Sequence, residues 1–578
     1  MLKVILKTIN LLEIKEKQKI FGLSILILFA SILEMLGIGL ILPLISIFID
    51  EQNIPESFQF IFGFLFFLER APSLNNILIL VLLIFLFKNL FLGCINFLTN
   101  KFVYSVSLRL AVLLYETYIK GPYEFHINNN SAKLMHNIAG EIGQIRTIIQ
   151  SVLSLFSEIL IVIGILILLI YFEPFASLSV LVITIVSGLL INFIIKKKII
   201  QWGKSRLVHA SEVNKQLMQG LGAIKDVKIF QKEEYFLKKF IPHQSLVTDY
   251  NRKHTTALYL PRLFFEIIIV ISLVILIFIL MESNSNNINT IPILGLFTIS
   301  AFRMLPSITR IQSNFQSIRY NIASIDNIYS ELKKLEETYL KIKQEKNEIN
   351  EDETSNFKSK NYVIKLKNIS FSYGNKKILK NINFEINSGK SIGIIGKSGS
   401  GKSTLIDLIM GLHPIEKNRI FFNNIDVSLY KYSWRSIIGY VPQQIFITDD
   451  SIKNNIAFGV DEKLINENKI EKILKKVDLL EFVQSLKDGI NTNIGERGSK
   501  ISGGQLQRIG IARALYKDPK ILIFDESTSS LDIPTEKEIL NSIYNNLSGD
   551  TTLILVSHRF ETLERCDKVI NIEDYVLI

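Results

Sequence analysis

Cysteine is nearly missing from this 578-residue chain: Cys94, inside an apolar run, and Cys566 are the only two. They imply no disulfide framework and read as inert thiols. A cleavage site is missing as well. Met1 to Lys19 shows no signal-peptide pattern, and the apolar run behind it is too long for a signal core. That stretch is expected to be a retained cytoplasmic lead-in. The formal net charge of +11 could point to nucleic acid, but much of the excess lies beside apolar runs. Charge placed there reports membrane topology and argues against a nucleic-acid partner. What abounds is apolar residue, at 48% of the chain with a mean hydropathy of +0.30. The apolar runs cluster before about residue 310, and the length exceeds what one core supports. A membrane half followed by a soluble half is expected.

Six stretches, at about 20–48, 75–99, 148–172, 175–196, 260–281 and 290–312, are apolar and long enough to cross a bilayer. A hydrocarbon core of about 30 Å needs roughly 20 helical residues. Only the Glu173-Pro174 turn separates the third from the fourth, so a tight hairpin is predicted there. Lysine and arginine number twelve in 197–258 and five in 100–147, and are absent from the short loop 282–289. The positive-inside rule then places both ends of the chain in the cytoplasm. Both long connections lack strand alternation and are expected to continue the membrane helices as levers. Short crosswise helices are expected at their turning points, Gly121-Pro122-Tyr123-Glu124-Phe125 and Gly222-Ala223-Ile224-Lys225-Asp226, either touching a cytoplasmic domain or serving as plain turns. The aromatic segment 57–69, between Pro55 and Pro72, reads as an external amphipathic helix on the membrane surface, or else as an extension of a neighbouring span or a capping helix packed on protein.

After the last span, the charged stretch 331–360 reads as a linker, helical at first. The domain plan is therefore a transmembrane domain at 1–330, that linker, and a soluble domain at 361–578. In the soluble part, short β-branched runs alternate with helical patterns, as in an α/β fold with a largely parallel sheet. The strand-like run Ser391–Ile395 leads into Gly396-Lys397-Ser398-Gly399-Ser400-Gly401-Lys402-Ser403-Thr404, which fits the phosphate-loop pattern G-x-x-x-x-G-K-[ST]. Its glycines let successive backbone N–H groups face one anion, and the following helix adds its positive dipole end. Lys402 is placed to reach the β- and γ-phosphates of a nucleotide, and Ser403 to ligate Mg²⁺. A second apolar strand ends in Asp525-Glu526. Asp525 is expected to hold the metal, and Glu526 to polarise the attacking water.

About twenty residues before Asp525 lies Ile501-Ser502-Gly503-Gly504-Gln505, opening a predicted helix through Leu515. This resembles the signature motif of ATP-binding cassette (ABC) proteins, with Ile501 in place of the usual leucine. The resemblance extends over the rest of the soluble half. It implies that Tyr373 stacks on adenine, Gln443 is the switch glutamine and a metal ligand, Ser530-Leu531-Asp532 is the D-loop, and His558 is the switch histidine. Glu496-Arg497-Gly498 resembles the segment that couples nucleotide state to the membrane helices. Asn418 and Asn424 stand at turns where relatives often carry glycine, and asparagine tolerates left-handed backbone angles. The family implies ATP sandwiched between one chain's phosphate loop and another's Ser502-Gly503-Gly504-Gln505. With one of each per chain, a homodimer of half-transporters follows. The expected fold is an all-α six-helix transmembrane domain followed by an α/β P-loop nucleotide-binding domain, and the expected activity is ATP-driven transport.

Ionisable residues within the spans are costly in lipid and mark pathways or partners. Lys88, Arg262, Arg303 and Arg310 could line a cationic cavity for an anionic cargo, or they could pair with Glu34, Glu158 and Glu266. Arg262 and Glu266, at i and i+4, form an obvious candidate pair. Leu260-Pro261-Arg262, Phe302-Arg303-Met304-Leu305-Pro306-Ser307 with Arg310, and the 57–69 helix resemble the bacterial lipid-linked oligosaccharide flippases of protein N-glycosylation. That likeness implies a polyprenyl-pyrophosphate glycan as the lipid substrate and the bacterial inner membrane as the location. Flippases for lipid A-core or phospholipid and exporters of drugs or peptides share the same architecture. A nucleotide-gated channel is the alternative of another class.

Overall fold

A computed structural model of the chain describes residues 2–39, 74–172, 174–282, 287–347, 357, 359–414, 416–526, 541, 544 and 551–575. The 57–69 segment and Ser530-Leu531-Asp532 lie outside the described residues. The chain forms two compact units. The first comprises Met1–Gly121 and His126–Tyr339, and the second comprises Pro122–Phe125 and Leu340–Ile578.

The first unit is helical. The described part of each expected span lies on a long helix, Ile14–Gly39, Leu74–Lys120, Ile142–Phe172, Pro174–Gly222, Glu233–Glu282 and Asn287–Tyr320, while residues 40–48 of the first span lie outside the described residues. By length and composition alone, four segments among the described residues qualify as spans, at Ile14–Gly37, Val81–Lys120, Ser131–Tyr171 and Glu233–Ile275. Local sequence explains the ends. Leu74–Lys120 stops at Gly121-Pro122, because proline disfavours a helical residue before it. Pro174 begins the next hairpin arm at the first helical position, where its missing N–H costs nothing, and that arm ends at Gly222. At 47 and 49 residues, these helices run about 70 Å at 1.5 Å per residue, well beyond a bilayer. Both turning points carry six-residue helices, Tyr123–Asn128 and Ile224–Ile229.

A buried polar joint fastens the helix extensions to one another. The chain passes from the helix Ser131–His136 through a π-helical turn, Asn137–Glu141, into Ile142–Phe172. One extra residue per turn rotates the side chains that follow, and such turns recur at functional positions. Here the turn carries Glu141, whose side chain is fully buried. Arg206 Nη2 donates to its two oxygens at 3.2 and 3.1 Å and to Ser324 Oγ at 3.0 Å. His136 Nε2 lies 2.9 Å from Glu141 Oε1, while Asn214 Nδ2 donates to His136 Nδ1 at 2.9 Å. Nearby, the helix Pro174–Gly222 touches backbone directly, since a Cβ on Gly203 would sit 1.8 Å from the Tyr320 carbonyl oxygen.

The second unit departs in part from the largely parallel sheet predicted. Among the described residues, its parallel sheet has five strands in the order β6-β7-β8-β3-β9, formed by Ile438–Val441 (β6), Ile521–Asp525 (β7), Thr552–Val556 (β8), Ser391–Ile395 (β3) and Lys568–Asn571 (β9). A separate antiparallel sheet has the order β2-β1-β4-β5, formed by Lys376–Asn387 (β2), Val363–Tyr373 (β1), Ile420–Phe422 (β4) and Ile425–Asp426 (β5). The reason is local. Gly374 at φ +56° turns β1 back onto β2, making a hairpin, whereas the apolar strands β3, β7 and β8 are buried on both faces and need crossover helices. Asn418 does adopt a left-handed conformation (φ +61°), but in the β4–β5 turn Asn423 (φ +55°) takes it rather than Asn424.

Asp567 fixes the start of β9 against the start of β3. Its carboxylate accepts from the Ser391 N–H at 2.7 Å, the Ser391 hydroxyl at 2.8 Å and Lys390 Nζ at 2.9 Å. Those bonds, led by the one from the Ser391 backbone, hold the Asp567 carboxyl down at about 2. A depressed folded-state value adds stability that is complete above the unfolded value and is lost as the pH falls through the folded one. Unfolding experiments on the full chain between about pH 4 and pH 2 should therefore show a stability slope that Asp567→Asn flattens. An unchanged slope in that variant would refute the linkage.

Candidate nucleotide site

The phosphate loop joins β3 to the helix Lys402–Ile409. Gly399 (φ +82°) and Gly401 (φ +96°) adopt backbone angles open to glycine, and a Cβ on Gly401 would strike Leu379 and Ile378 at 2.8 and 2.9 Å. Lys402 is buried. Its ammonium donates to the carbonyls of Gly396 at 2.8 Å and Lys397 at 3.1 Å, and it stands 3.3 Å from Glu526 Oε1. Ser398 and Gly399 are exposed at the loop tip, Ser403 is exposed, Thr404 is half-buried, and the Ser400 hydroxyl is buried without a hydrogen-bond partner.

Sheet order brings the carboxylates to the loop. The neighbours of β8 are β7 and β3, so Asp525-Glu526 at the end of β7 and His558 just after β8 emerge at the same edge as Gly396. Glu526 occupies a left-handed conformation (φ +48°), a strained position for a non-glycine residue. Three expected residues meet its carboxylate: Lys402, His558 with Nδ1 at 2.9 Å from Oε1, and Gln443, whose Nε2 donates to Oε2 at 3.2 Å.

Asp525 is buried and accepts from the Tyr440 hydroxyl at 3.3 Å. Burial, with the Glu526 charge adding to it, raises the Asp525 carboxyl, while the Tyr440 hydrogen bond and Lys402 oppose the rise. Asp407, on the helix after the loop, is pushed up to about 6 by burial and by the charge of Asp525. Such displaced carboxyl groups mark a site where charge is managed. Ser403, Asp525 and the Gln443 amide oxygen form an all-oxygen donor set, the kind magnesium takes alongside nucleotide phosphates, and these residues could hold it.

Tyr373 is partly exposed, and its hydroxyl hydrogen-bonds His413 Nε2 at 2.9 Å. His413, Tyr440 and Asp407 went unnoticed in the sequence. Tyr440 carried one signal, its place in the strand that runs directly into Pro442-Gln443. Ser502 caps the helix Gly503–Tyr516 in a reciprocal box with Gln505: the Gln505 N–H donates to Ser502 Oγ at 3.3 Å, and the Ser502 N–H to Gln505 Oε1 at 2.8 Å. The structure does not bring this signature to its own phosphate loop, since no hydrogen bond joins Ser502, Gly503, Gly504 or Gln505 to residues 396–404 among the described residues.

Two of the cavity candidates, Lys88 and Arg303, meet at one carboxylate. Lys88 is buried with Nζ 3.4 Å from Glu34 Oε2, and Arg303 pairs with the other oxygen of Glu34 while donating to Ser307 Oγ at 3.2 Å. Arg310 Nη1 lies 2.7 Å from Glu158 Oε1, and its side chain is 57% exposed. Pairing with Glu34 and Glu158, open from the sequence, is thus present. Arg262 and Glu266 are both exposed, and no ion pair joins them among the described residues.

A helical membrane unit, followed by a phosphate loop and paired carboxylates on a parallel sheet, defines the class of a membrane transporter with its own nucleotide-hydrolysing unit. Residues 20–305 match the ABC transporter transmembrane region, and residues 379–529 match the ABC transporter family. An ATP-dependent lipid A-core flippase of Wigglesworthia glossinidia brevipalpis is 30% identical over 83% of this chain and 82% of its own length. A putative export ATP-binding/permease protein of Rickettsia bellii is 29% identical over 88% of this chain and 86% of its own. In fold, the chain matches a bacterial Atm1-family ABC exporter with ATP bound at a TM-score of 0.75, with 20% identity, over 96% of this chain and 94% of that one. The chain belongs to the ABC transporter family. It is a multi-pass membrane protein that binds ATP and couples ATP hydrolysis to translocation across the membrane.

Proposed function

We propose that the protein works as a homodimer in the bacterial inner membrane, with cassettes and termini in the cytoplasm, and flips a phosphate-bearing lipid. In the nucleotide site, Lys402 and the loop N–H groups bind the phosphates, Ser403, Asp525 and Gln443 hold Mg²⁺, Tyr373 stacks on the base, Glu526 polarises water, and His558 orients the γ-phosphate. Ser502, Gly503, Gly504 and Gln505 serve the partner's nucleotide, a reading supported by Ser502 and Gly503 being exposed. Asp532 completes the site. ATP binding closes the cassette pair, hydrolysis reopens it, and the long helices carry that motion into the membrane.

One observation carries the choice of cargo. Lys88 and Arg303 share the single carboxylate of Glu34, which leaves one excess positive charge within the spans, and Arg310, seven residues on from Arg303, shares its helical face with its side chain half open. A net cation among spans suits a phosphate headgroup. The finer candidate is a polyprenyl-pyrophosphate glycan. Lipid A-core is the cargo in the name of the Wigglesworthia relative. Reconstituted flipping with both lipids, a neutral lipid and a peptide separates these, and ATP-dependent conductance would signal a channel. Arg303→Gln with Arg310→Gln should slow flipping of the anionic lipid at least about tenfold, from the loss of charge-assisted contacts, with basal ATP hydrolysis within about twofold. Glu158→Gln should accompany them, because Glu158 would otherwise be buried without its cation. Unchanged flipping rules out the cavity.

A further inference from the structure

The turn that follows β9, Ile572–Tyr575, lies against the phosphate loop. In the parallel pairing of β3 with β9, Ile395 sits opposite Asn571, so the next residues of each strand, Gly396-Lys397 and Ile572-Glu573, run side by side. The fit is tight. A Cβ on Gly396 would meet Ile572 Cγ2 at 2.6 Å, so this glycine is required by the turn as well as by the nucleotide. Asn571 Oδ1 accepts the Glu573 N–H at 3.1 Å and sets the turn's shape.

From there, Glu573 Oε1 accepts the Lys397 N–H at 2.7 Å. That N–H and the Gly396 carbonyl belong to one planar trans peptide and point in opposite directions. The Gly396 carbonyl is the acceptor of Lys402 Nζ at 2.8 Å. A carboxylate, a peptide dipole and an ammonium therefore stand in line, each polarising the next. Lys397 Nζ also lies 3.9 Å from Glu573 Oε2, but with its side chain 87% exposed that pair contributes little.

We propose that Glu573 is a positioning residue for Lys402: by holding the Lys397 N–H, it fixes the Gly396–Lys397 peptide plane so that the Gly396 carbonyl aims the lysine ammonium toward the nucleotide phosphates. The inference rests on the reading of Lys402 as the phosphate-binding lysine. The geometry asks for an acceptor oxygen at the length of a glutamate side chain, not for a charge as such.

Steady-state ATPase of the detergent-purified full chain tests this, with thermal unfolding followed in parallel. Glu573→Ala is expected to raise KM for ATP about tenfold, the scale of a hydrogen bond to a charged group, while kcat stays within about threefold. Glu573→Gln keeps the acceptor and should return KM to within about threefold of the parent. Glu573→Asp, one methylene short, should raise KM nearly as far as alanine and serves where the alanine variant does not fold. An unchanged KM in the alanine or aspartate variant overturns the proposal, as does a glutamine variant as impaired as alanine. Lys402→Ala separates the two readings. If it leaves ATP binding intact, the lysine assignment fails; if it abolishes binding while Glu573→Ala has no effect, only the positioning role fails.

Discussion

Glu526→Gln is expected to lower ATP hydrolysis by about 10²–10⁴-fold, the contribution of a general base, while ATP remains bound. The isosteric amide fits the same left-handed turn at the end of β7, so the strain at that position is unchanged. Two things differ. The amide cannot accept a proton from water, and it removes the negative charge that stands 3.3 Å from Lys402 and 2.9 Å from His558. Lys402, released from its carboxylate, remains aimed by the carbonyls of Gly396 and Lys397 and interacts at least as strongly with a phosphate. Slow hydrolysis with retained or tightened ATP binding is therefore the expected pair of results, measured as phosphate release and as nucleotide retained on the purified protein. Loss of both would point instead to a misfolded loop, and rapid turnover would remove Glu526 from the role of base.

The parts of this site that could be read from sequence are those made by contiguous residues. Gly396 to Thr404 declares itself through spacing, Asp525-Glu526 through a strand ending in acid, and Ser502 through the cap-and-glutamine pattern that opens a helix. The helices of the membrane unit were legible for the same reason, since length and apolarity are local properties and Gly121-Pro122 or Pro174 marks an end by itself. What stayed hidden depends on partners distant in the chain. Glu573 meets Lys397 only because β9 pairs with β3, and nothing near residue 573 announces that neighbour. Tyr440 reaches Asp525 through the pairing of β6 with β7. Arg303 and Arg310 stood out as cations in lipid, yet Glu34 and Glu158 reach them from other helices. Periodicity could name these carboxylates as candidates but could not choose among them, and the one pair suggested by spacing, Arg262 with Glu266, is absent. The antiparallel sheet was missed because β1 and β2 resemble any β-branched runs until the turn at Gly374 folds one on the other.

The second large effect is expected at the polar joint of the helix extensions, where Arg206→Met should destabilise the protein by about 3–5 kcal/mol, the loss typical when one partner of a buried ion pair is removed. Glu141 is fully buried, and Arg206 places a permanent positive charge against it. His136 supplies a second contact at 2.9 Å and is itself held by Asn214, while the Ser324 hydroxyl accepts from Arg206 and also hydrogen-bonds the carboxylate. Without the guanidinium, Glu141 keeps its desolvation cost and loses the fixed opposing charge, with only the His136 and Ser324 contacts left to offset it. Replacing both partners, Glu141→Leu with Arg206→Met, removes the cost along with the gain, and most of the stability should return. Equilibrium unfolding of the full chain in detergent, carried through the single and double variants, yields the coupling energy directly. A loss below about 1 kcal/mol in Arg206→Met would mean that water reaches Glu141 and that the joint is looser than its burial indicates. The double variant also separates strength from motion. The pair ties the π-turn, the helix Pro174–Gly222 and the helix beginning at Ile322 into one body, so a lever that keeps its stability but lacks this directional bond should pass less of the ATP cycle to the membrane helices. The expected result is near-parental stability and ATP hydrolysis with a lower transport rate per ATP consumed.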